Sequence, residues 1–317
     1  MTLHILSTAP SPELSKALAE FEQQFTYPLG PGRTFRISHG DDYARFFCAM
    51  GEPGISIVLE ERGQVLGTVG VAVRRLLKPD GDEERVIYLG DLKVVPEART
   101  SMAFLRLAWE AERWSRPFSA RGFGIVMDGT RVTPDAYTGC AGIPGARALG
   151  SVMVLRIPCL VTQARRNACD FQSTREQVLS CFRRLSRGRY ASLDGKPEKR
   201  SQMTPQWLLY SSGRACGLVE DTRMAKRLWD DDGSELCSGH LSYFAFSDLD
   251  DAVELLQEAR RLAAVAGHPA LFVAVAAEDY ARLAQALGQP DTVLAPATVY
   301  GGGLDDGAAW NINTSEI

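Results

Sequence analysis

Arg99, Thr100 and Ser101 sit in a row where a strand-like run gives way to a helix-like one. The run 86–95 (VIYLGDLKVV) passes through Pro96-Glu97-Ala98 into a stretch with helical spacing, 100–114 (TSMAFLRLAWEAERW). A strand that ends at a helix N-terminus presents free backbone N–H groups and the positive end of the helix dipole, which together make an anion site. Arg99 adds a fixed positive charge, Thr100 and Ser101 offer hydroxyls, and no acidic residue follows until Glu110. This chemistry suits a phosphate or pyrophosphate. The competing reading is an ordinary strand-to-helix turn with a surface arginine. Within the same strand, Asp91 is the one carboxylate, and partial burial there would raise its pKa towards the range of a general base. The competing reading of Asp91 is an ion pair with an arginine, or a cap on a neighbouring loop.

Other chemistries lack their residues. His39, His240 and His268 have no ligand spacing between them, and the seven cysteines form neither a CxxC pair nor a zinc spacing. Metal catalysis is therefore not expected. No G-x-S-x-G elbow or Cys/His arrangement points to hydrolase chemistry. The cysteines read as small buried hydrophobes of a reducing compartment. The first residues, MTLHILSTAPSPE, lack a signal peptide's basic start and apolar core, and the longest apolar run, 270–277, is too short to span a bilayer. A cytoplasmic location with no membrane partner is the expectation. The net charge of -4 gives no overall attraction to nucleic acid.

The elements that must position Asp91 and Arg99 alternate along the chain. Residues 11–25 and 41–50 read as helices, 55–59 and 65–73 as a strand hairpin, and 122–127 and 151–157 as further strands. The second half repeats this order. Strand-like runs at 207–210 and 241–246 precede a strongly amphipathic helix at 249–266, a buried strand at 270–276 and a helix ending at Ala286-Leu287-Gly288. That ending matches Ala148-Leu149-Gly150 in the first half. The pattern reads as a duplication in a mixed α/β protein, with units 1–160 and 167–317. The segment 165–200 is rich in arginine and lysine; it has few aromatics and reads as a solvated helix and linker rather than an RNA patch. Asp230-Asp231-Asp232 reads as a loop, and Gly301-Gly302-Gly303 as a turn.

The element order, with V-x-P-E-x-R after the central strand, resembles the GNAT superfamily of N-acetyltransferases. The match is closest over Leu92-Lys93-Val94-Val95-Pro96-Glu97-Ala98-Arg99, which looks like the family's acyl-CoA motif. The likeness covers roughly 1–160, and 167–317 through topology alone. It implies an acyl-CoA co-substrate, acetyl-CoA by default, and a small amine acceptor bound near the junction of two tandem domains. The pantetheine arm would meet the backbone of Leu92, Lys93 and Val94, and the pyrophosphate would lie over Arg99, Thr100, Ser101, Met102 and Ala103. The family usually follows that arginine with glycines, and this chain departs from the pattern. The family's acid tyrosine is also missing at the counted positions, Ala146 and Ala284, which leaves Tyr137, Tyr88 and Tyr280 as candidates beside Asp91 as base. In the second half the matching helix opens Asp248-Leu249-Asp250-Asp251, whose carboxylates use the free N–H groups and repel a diphosphate. The second unit therefore reads as a degenerate copy. The reading from another class is a catalytically silent protein of the same fold that binds CoA or a protein partner.

Overall fold

Alternating apolar residues drive the first half into a twisted hairpin, and everything else is laid against it. In the computed structural model, which describes residues 1–99, 101–159, 169–170, 173–289 and 291–317, Gly54–Glu61 and Gln64–Leu77 form that hairpin. Thr2–Leu6 extends it on one side and Glu83–Val94 on the other, both antiparallel. Gly122–Met127 then runs parallel to Glu83–Val94. The second half builds a matching series from Gln206–Tyr210, Ala215–Glu220, Gly239–Phe246 and Ala270–Ala276, again closing on a parallel pair.

The halves fuse by exchanging their last strands. Arg147–Pro158, from the first half, pairs along Ala270–Ala276, whereas Val293–Gly302 pairs with Gly122–Met127 and Arg147–Pro158. The outcome is one sheet of 14 strands among the described residues. The residues between the two units, 161–166, lie outside the described ones.

Helices cover the sheet where their apolar stripes require it. Ser11 caps the helix Pro12–Glu22, whose Leu18 and Phe21 are buried with Ile57, Val71 and Ile87. The helix Ala103–Ser115 buries Ala103, Leu107, Ala111 and Ser115, a spacing of four along one face. In the second half Leu249–Val265 buries Leu255, Leu256 and Ala259 against Leu241, Leu271 and Val273. A core shared by both halves gathers Phe123, Val152, Tyr190, Phe272, Val299 and Trp310. No helix among the described residues is long and apolar enough to cross a membrane.

Some expectations need correction. The helix expected from residue 100 begins at Ala103, after a short 3-10 turn, Pro96–Ala98. Ala148-Leu149-Gly150 ends no helix but lies inside a strand, so the count back from Gly150 to Ala146 has no structural meaning. Gly301 and Gly302 end a strand instead of making a turn, because a Cβ at Gly301 would stand 2.4 Å from the Gly122 carbonyl oxygen. Cys181 and Cys216 are buried as small hydrophobes, but Cys140 is exposed.

The basic stretch is also not simply solvated. Arg183 pairs with Glu83 at 2.7 Å, Arg189 with Asp279 at 2.5 Å, and Lys196 with Glu52 at 2.5 Å. Arg200 is wholly buried between Glu220 and Glu316. These arginines and lysines are spent on internal partners. Arg165 and Arg166 lie outside the described residues.

Candidate functional site: a parted strand pair

The site starts from one extra residue in a strand. Thr68 pairs with Lys93 and Gly70 with Gly90, so Asp91 and Leu92 together stand opposite Val69. Asp91 takes a left-handed backbone, φ 53°, which completes a β-bulge. A bulge bends its strand and re-aims the residues after it. The parallel partner accordingly stays paired only at Ile87 with Gly122 and Tyr88 with Phe123. Beyond those residues the two strands part. Gly124 is required at the parting point, since a Cβ there would lie 2.4 Å from the Leu89 carbonyl oxygen.

The gap opens on a cavity of about 340 Å³. Leu89, Gly90, Asp91 and Leu92 form one wall and Phe123–Met127 the other, while Phe104 and Ala108 contribute from the flanking helix. Leu89 is 41% exposed, unusual for a central strand and explained by the missing neighbour. Phe35, Phe46 and Phe47 make much of the far wall apolar. Tyr137, Lys226 and Ile317 also reach it.

Beside the cavity lies a buried polar cluster. Tyr43 donates to Asp91 Oδ2 at 2.5 Å, and Lys93 Nζ stands 2.7 Å from Asp91 Oδ1 and 3.7 Å from Glu22. Glu22 in turn meets His39 Nδ1 at 2.5 Å and accepts from the His39 backbone N–H at 3.0 Å. Ligand atoms of Glu22, His39 and Asp91 lie within 4.8 Å of one another. The Lys93 ammonium already serves as their cation. Phe21, Phe25 and Tyr27 surround that ammonium with their rings, at 6.0, 5.8 and 5.9 Å.

Burial pushes the Asp91 carboxyl up, but Lys93, His39 and the Tyr43 hydroxyl outweigh it and hold it below the usual carboxylate range. The expectation of a raised pKa is thus corrected. Burial alone would have raised it; the ammonium of a lysine two residues away on the same bulged strand reverses the direction. Lys93 is the reciprocal case: burial opposes its charge, yet Asp91 and the neighbouring tyrosines and Glu22 keep it firmly protonated.

Of the residues read from the sequence, Tyr88, Asp91, Leu92 and Tyr137 line the cavity together. Tyr137 ends a short helix, Pro134–Tyr137, with its ring edge-on to Phe104 at 5.3 Å. Burial, then Asp135 and Tyr300, push its hydroxyl up to about 12. Tyr88 is tied to the Glu316 main-chain oxygen at 3.0 Å, and Tyr280 packs in the second half's core. Lys93 turns its ammonium into the polar cluster. Val94, Arg99, Ser101, Met102 and Ala103 form the strand end and the turn beyond the cavity; Arg99 is exposed, with Nε 3.4 Å from the Val94 oxygen. Ser101 donates to the Ala98 oxygen and accepts from the Ala103 N–H at 3.1 Å, a helix-entry cap. Thr100 lies outside the described residues. The N–H groups of the helix's first turn have no intrahelical acceptor. Glu22, Tyr43 and Lys226 escaped the sequence reading, and His39 entered it only as a histidine without ligand spacing. Phe104 and Ala108 carried a signal, the four-residue spacing of one helix face.

The second half repeats the device and then closes it. Its bulge falls at Tyr243, φ 51°, and its parallel pair holds at Gly239–Leu271, His240–Phe272 and Leu241–Val273. The gap is filled from the chain's last residues. Asn313 Oδ1 accepts from the Tyr243 N–H at 2.7 Å, Ser315 meets Ser242 at 2.8 Å, and Thr314 meets His240 at 3.0 Å. Asp248 caps the following helix by accepting from the Asp251 N–H at 3.1 Å. The Tyr243 and Asp251 N–H groups of the second copy are therefore satisfied internally.

No family model matches the sequence, and no curated protein does. Solved structures do match. The N-myristoyltransferase of Saccharomyces cerevisiae with bound myristoyl-CoA superposes with a TM-score of 0.65 at 12% identity, covering 99% of this chain and 82% of that one. Another structure of that enzyme gives 0.61 at 13% identity, over 94% and 82%. A GCN5-related N-acetyltransferase from Anabaena variabilis gives 0.51 at 13% identity, over 95% and 72%. At such identities the likeness speaks for the fold. With its parted parallel pair occurring twice, the chain has the GNAT fold in tandem, the second copy closed on itself.

Proposed function

We propose that the chain is an acyl-CoA-dependent N-acyltransferase acting on a small amine, with acetyl-CoA or another acyl-CoA as donor. The observation that carries this reading is the open gap between Glu83–Val94 and Gly122–Met127, lined by unpaired strand edges and leading into the cavity. A pantetheine arm laid there completes the ladder that the strands leave unfinished, on the backbone of Leu92, Lys93 and Val94. Backbone N–H groups at the bulge then face the thioester oxygen, where charge develops as the amine attacks. The pyrophosphate meets Arg99, Thr100, Ser101, Met102 and Ala103 at the helix entry. Tyr137, on the far wall, is the proton donor for the departing sulfur. Asp91 fixes the bulge through Tyr43 and Lys93 and so positions the backbone that binds the thioester. The apolar far wall accommodates acyl chains beyond acetyl, so a donor panel belongs in the assay.

CoA at a hundred times its dissociation constant should stabilise the protein by about 2.7 kcal/mol in a thermal shift measurement. Arg99→Ala should weaken that binding by about 1–3 kcal/mol, the range for a charge-assisted contact. No shift at millimolar CoA would overturn the reading. Hydrogen exchange offers a second check on which copy is used. CoA should protect residues 88–105 and leave 241–255 unchanged, because Asn313–Ser315 and Asp248 already occupy the second gap and helix entry. Protection confined to 248–255 would reverse the assignment of the two copies.

A further inference from the structure

One stripe of the helix Ala103–Ser115 looks onto the cavity. Phe104, Ala108, Ala111, Glu112 and Ser115 line it, at spacings that fall on a single helical face. The 11 residue steps from Phe104 to Ser115, at about 1.5 Å each, make a wall about 16 Å long. Facing it is the bare part of the strand Gly122–Met127. Ile87, which packs with this helix, pairs with Gly122, so Gly122 and Gly124 share the helix-facing side. Gly302 pairs with Gly122 and continues the same floor. The result is a slot floored by glycine and walled by alanine, a shape that suits an unbranched chain.

The slot ends on polar groups without partners. Ser115 is 5% exposed, and its Oγ makes no hydrogen bond among the described residues. Glu112, one turn earlier, has no ion pair or side-chain hydrogen bond among them either. The nearby cations are engaged elsewhere. Arg121, which also reaches the cavity, pairs with Glu84, and Arg113 pairs with Glu110. Ser119 Oγ accepts from the Arg121 N–H at 3.0 Å. The helix C-terminus adds partial negative charge at the same end. A buried hydroxyl without a partner is costly, and it stands here beside a free carboxylate. Together they call for a group that donates hydrogen bonds and carries positive charge. An acyl tail would set a methyl group against them and leave both unsatisfied.

We propose that this slot takes the amine acceptor and that the acceptor is a linear diamine, an assignment that rests on the acyltransferase reading above. The reacting nitrogen lies at the Asp91 bulge. An unbranched apolar stretch crosses Gly124 and Gly122, and the second ammonium meets Glu112 and Ser115. Phe35, Phe46 and Phe47 belong to the cluster on the opposite face of the sheet, so the far wall stays free for the acyl group. The two substrates then approach the gap from opposite faces.

The test uses octylamine and 1,8-diaminooctane, which share a chain and differ by one terminal ammonium. With CoA bound, the diamine should raise the melting temperature further, and octylamine at the same concentration should raise it less. With acetyl-CoA as donor, kcat/KM should be about 10-fold or more higher for the diamine, mostly through KM. Glu112→Gln and Ser115→Ala should each cut that ratio while the CoA thermal shift stays. Ser115→Ala should fold as stably as wild type, because the hydroxyl has no bond to lose, so a lost preference there is not a folding defect. Equal kcat/KM for the two amines, or a preference that survives in both variants, would overturn the proposal and leave CoA binding intact. A preference that disappears when dodecanoyl-CoA replaces acetyl-CoA would give the slot to the acyl tail and also overturn it. Absence of both a CoA shift and turnover with either amine would remove the acyltransferase reading itself, and this inference with it.

Discussion

Arg200→Met should lower the unfolding free energy by about 3–5 kcal/mol, a large part of the roughly 5–15 kcal/mol that holds a typical domain. Arg200 is fully buried and bonds Glu220 through both Nε and Nη2 at 2.8 Å, with Nη1 on Glu316 at 2.9 Å. Removing it leaves two carboxylates in the interior with a single remaining guanidinium, Arg74, which is already shared with Asp194. The same Glu316 anchors the segment that closes the second copy and brings Ile317 to the cavity. Urea unfolding of wild type and variant measures the loss directly. Arg183→Ala, which breaks a half-exposed pair with Glu83, should cost less than about 1 kcal/mol in the same experiment. A loss for Arg200→Met no greater than that of Arg183→Ala would show that water reaches the cluster.

Asp91→Asn comes next in size, at about 3 kcal/mol, because it leaves the buried Lys93 ammonium with only Glu22 at 3.7 Å. Turnover per folded molecule should stay within about tenfold of wild type, as suits a positioning residue. A loss of about 100-fold with unchanged stability would instead make Asp91 the base. The pH dependence carries an independent sign. The folded Asp91 carboxyl lies below its unfolded value of about 3.9, so its ion pair stabilises fully above that pH. The contribution is lost as pH falls through the lower, folded value. Glu316, where burial is outweighed by Arg74 and Arg200, acts with the same sign. Acid unfolding should therefore be steep in wild type and shallower in Asp91→Asn.

Local chemistry made the elements legible. Gly122–Met127 and Ala270–Ala276 fall where their apolar runs and flanking breakers placed them, and Leu249–Val265 where its stripe and Asp248 cap did. Strand and helix periods are properties of neighbouring residues, so a sequence alone expresses them. The V-x-P-E-x-R turn carried the fold for the same reason. It couples a strand end to a helix start within a few residues.

The site was only partly legible. Asp91, Leu92 and Tyr137 could be singled out, but what Asp91 does depends on Tyr43 and Lys93, and through them on Glu22 and His39. Lys93 is two residues from Asp91 on one strand, but nothing in the spacing marks Glu22, His39 and Tyr43 as neighbours of that pair. The exchange of Arg147–Pro158 with Val293–Gly302 was equally hidden, since either apolar strand satisfies the same sheet edge. Closure of the second gap by Asn313–Ser315 depended on that exchange and on Glu316 finding Arg74 and Arg200. The sequence by itself determined many of the strands and helices, where a helix entry is left cationic, and which copy is acidic there. Tertiary structure decided which buried charge meets which: hydrophobic patterning is satisfied by many partners, whereas a buried charge is satisfied only by the group that the completed fold brings within a few ångströms.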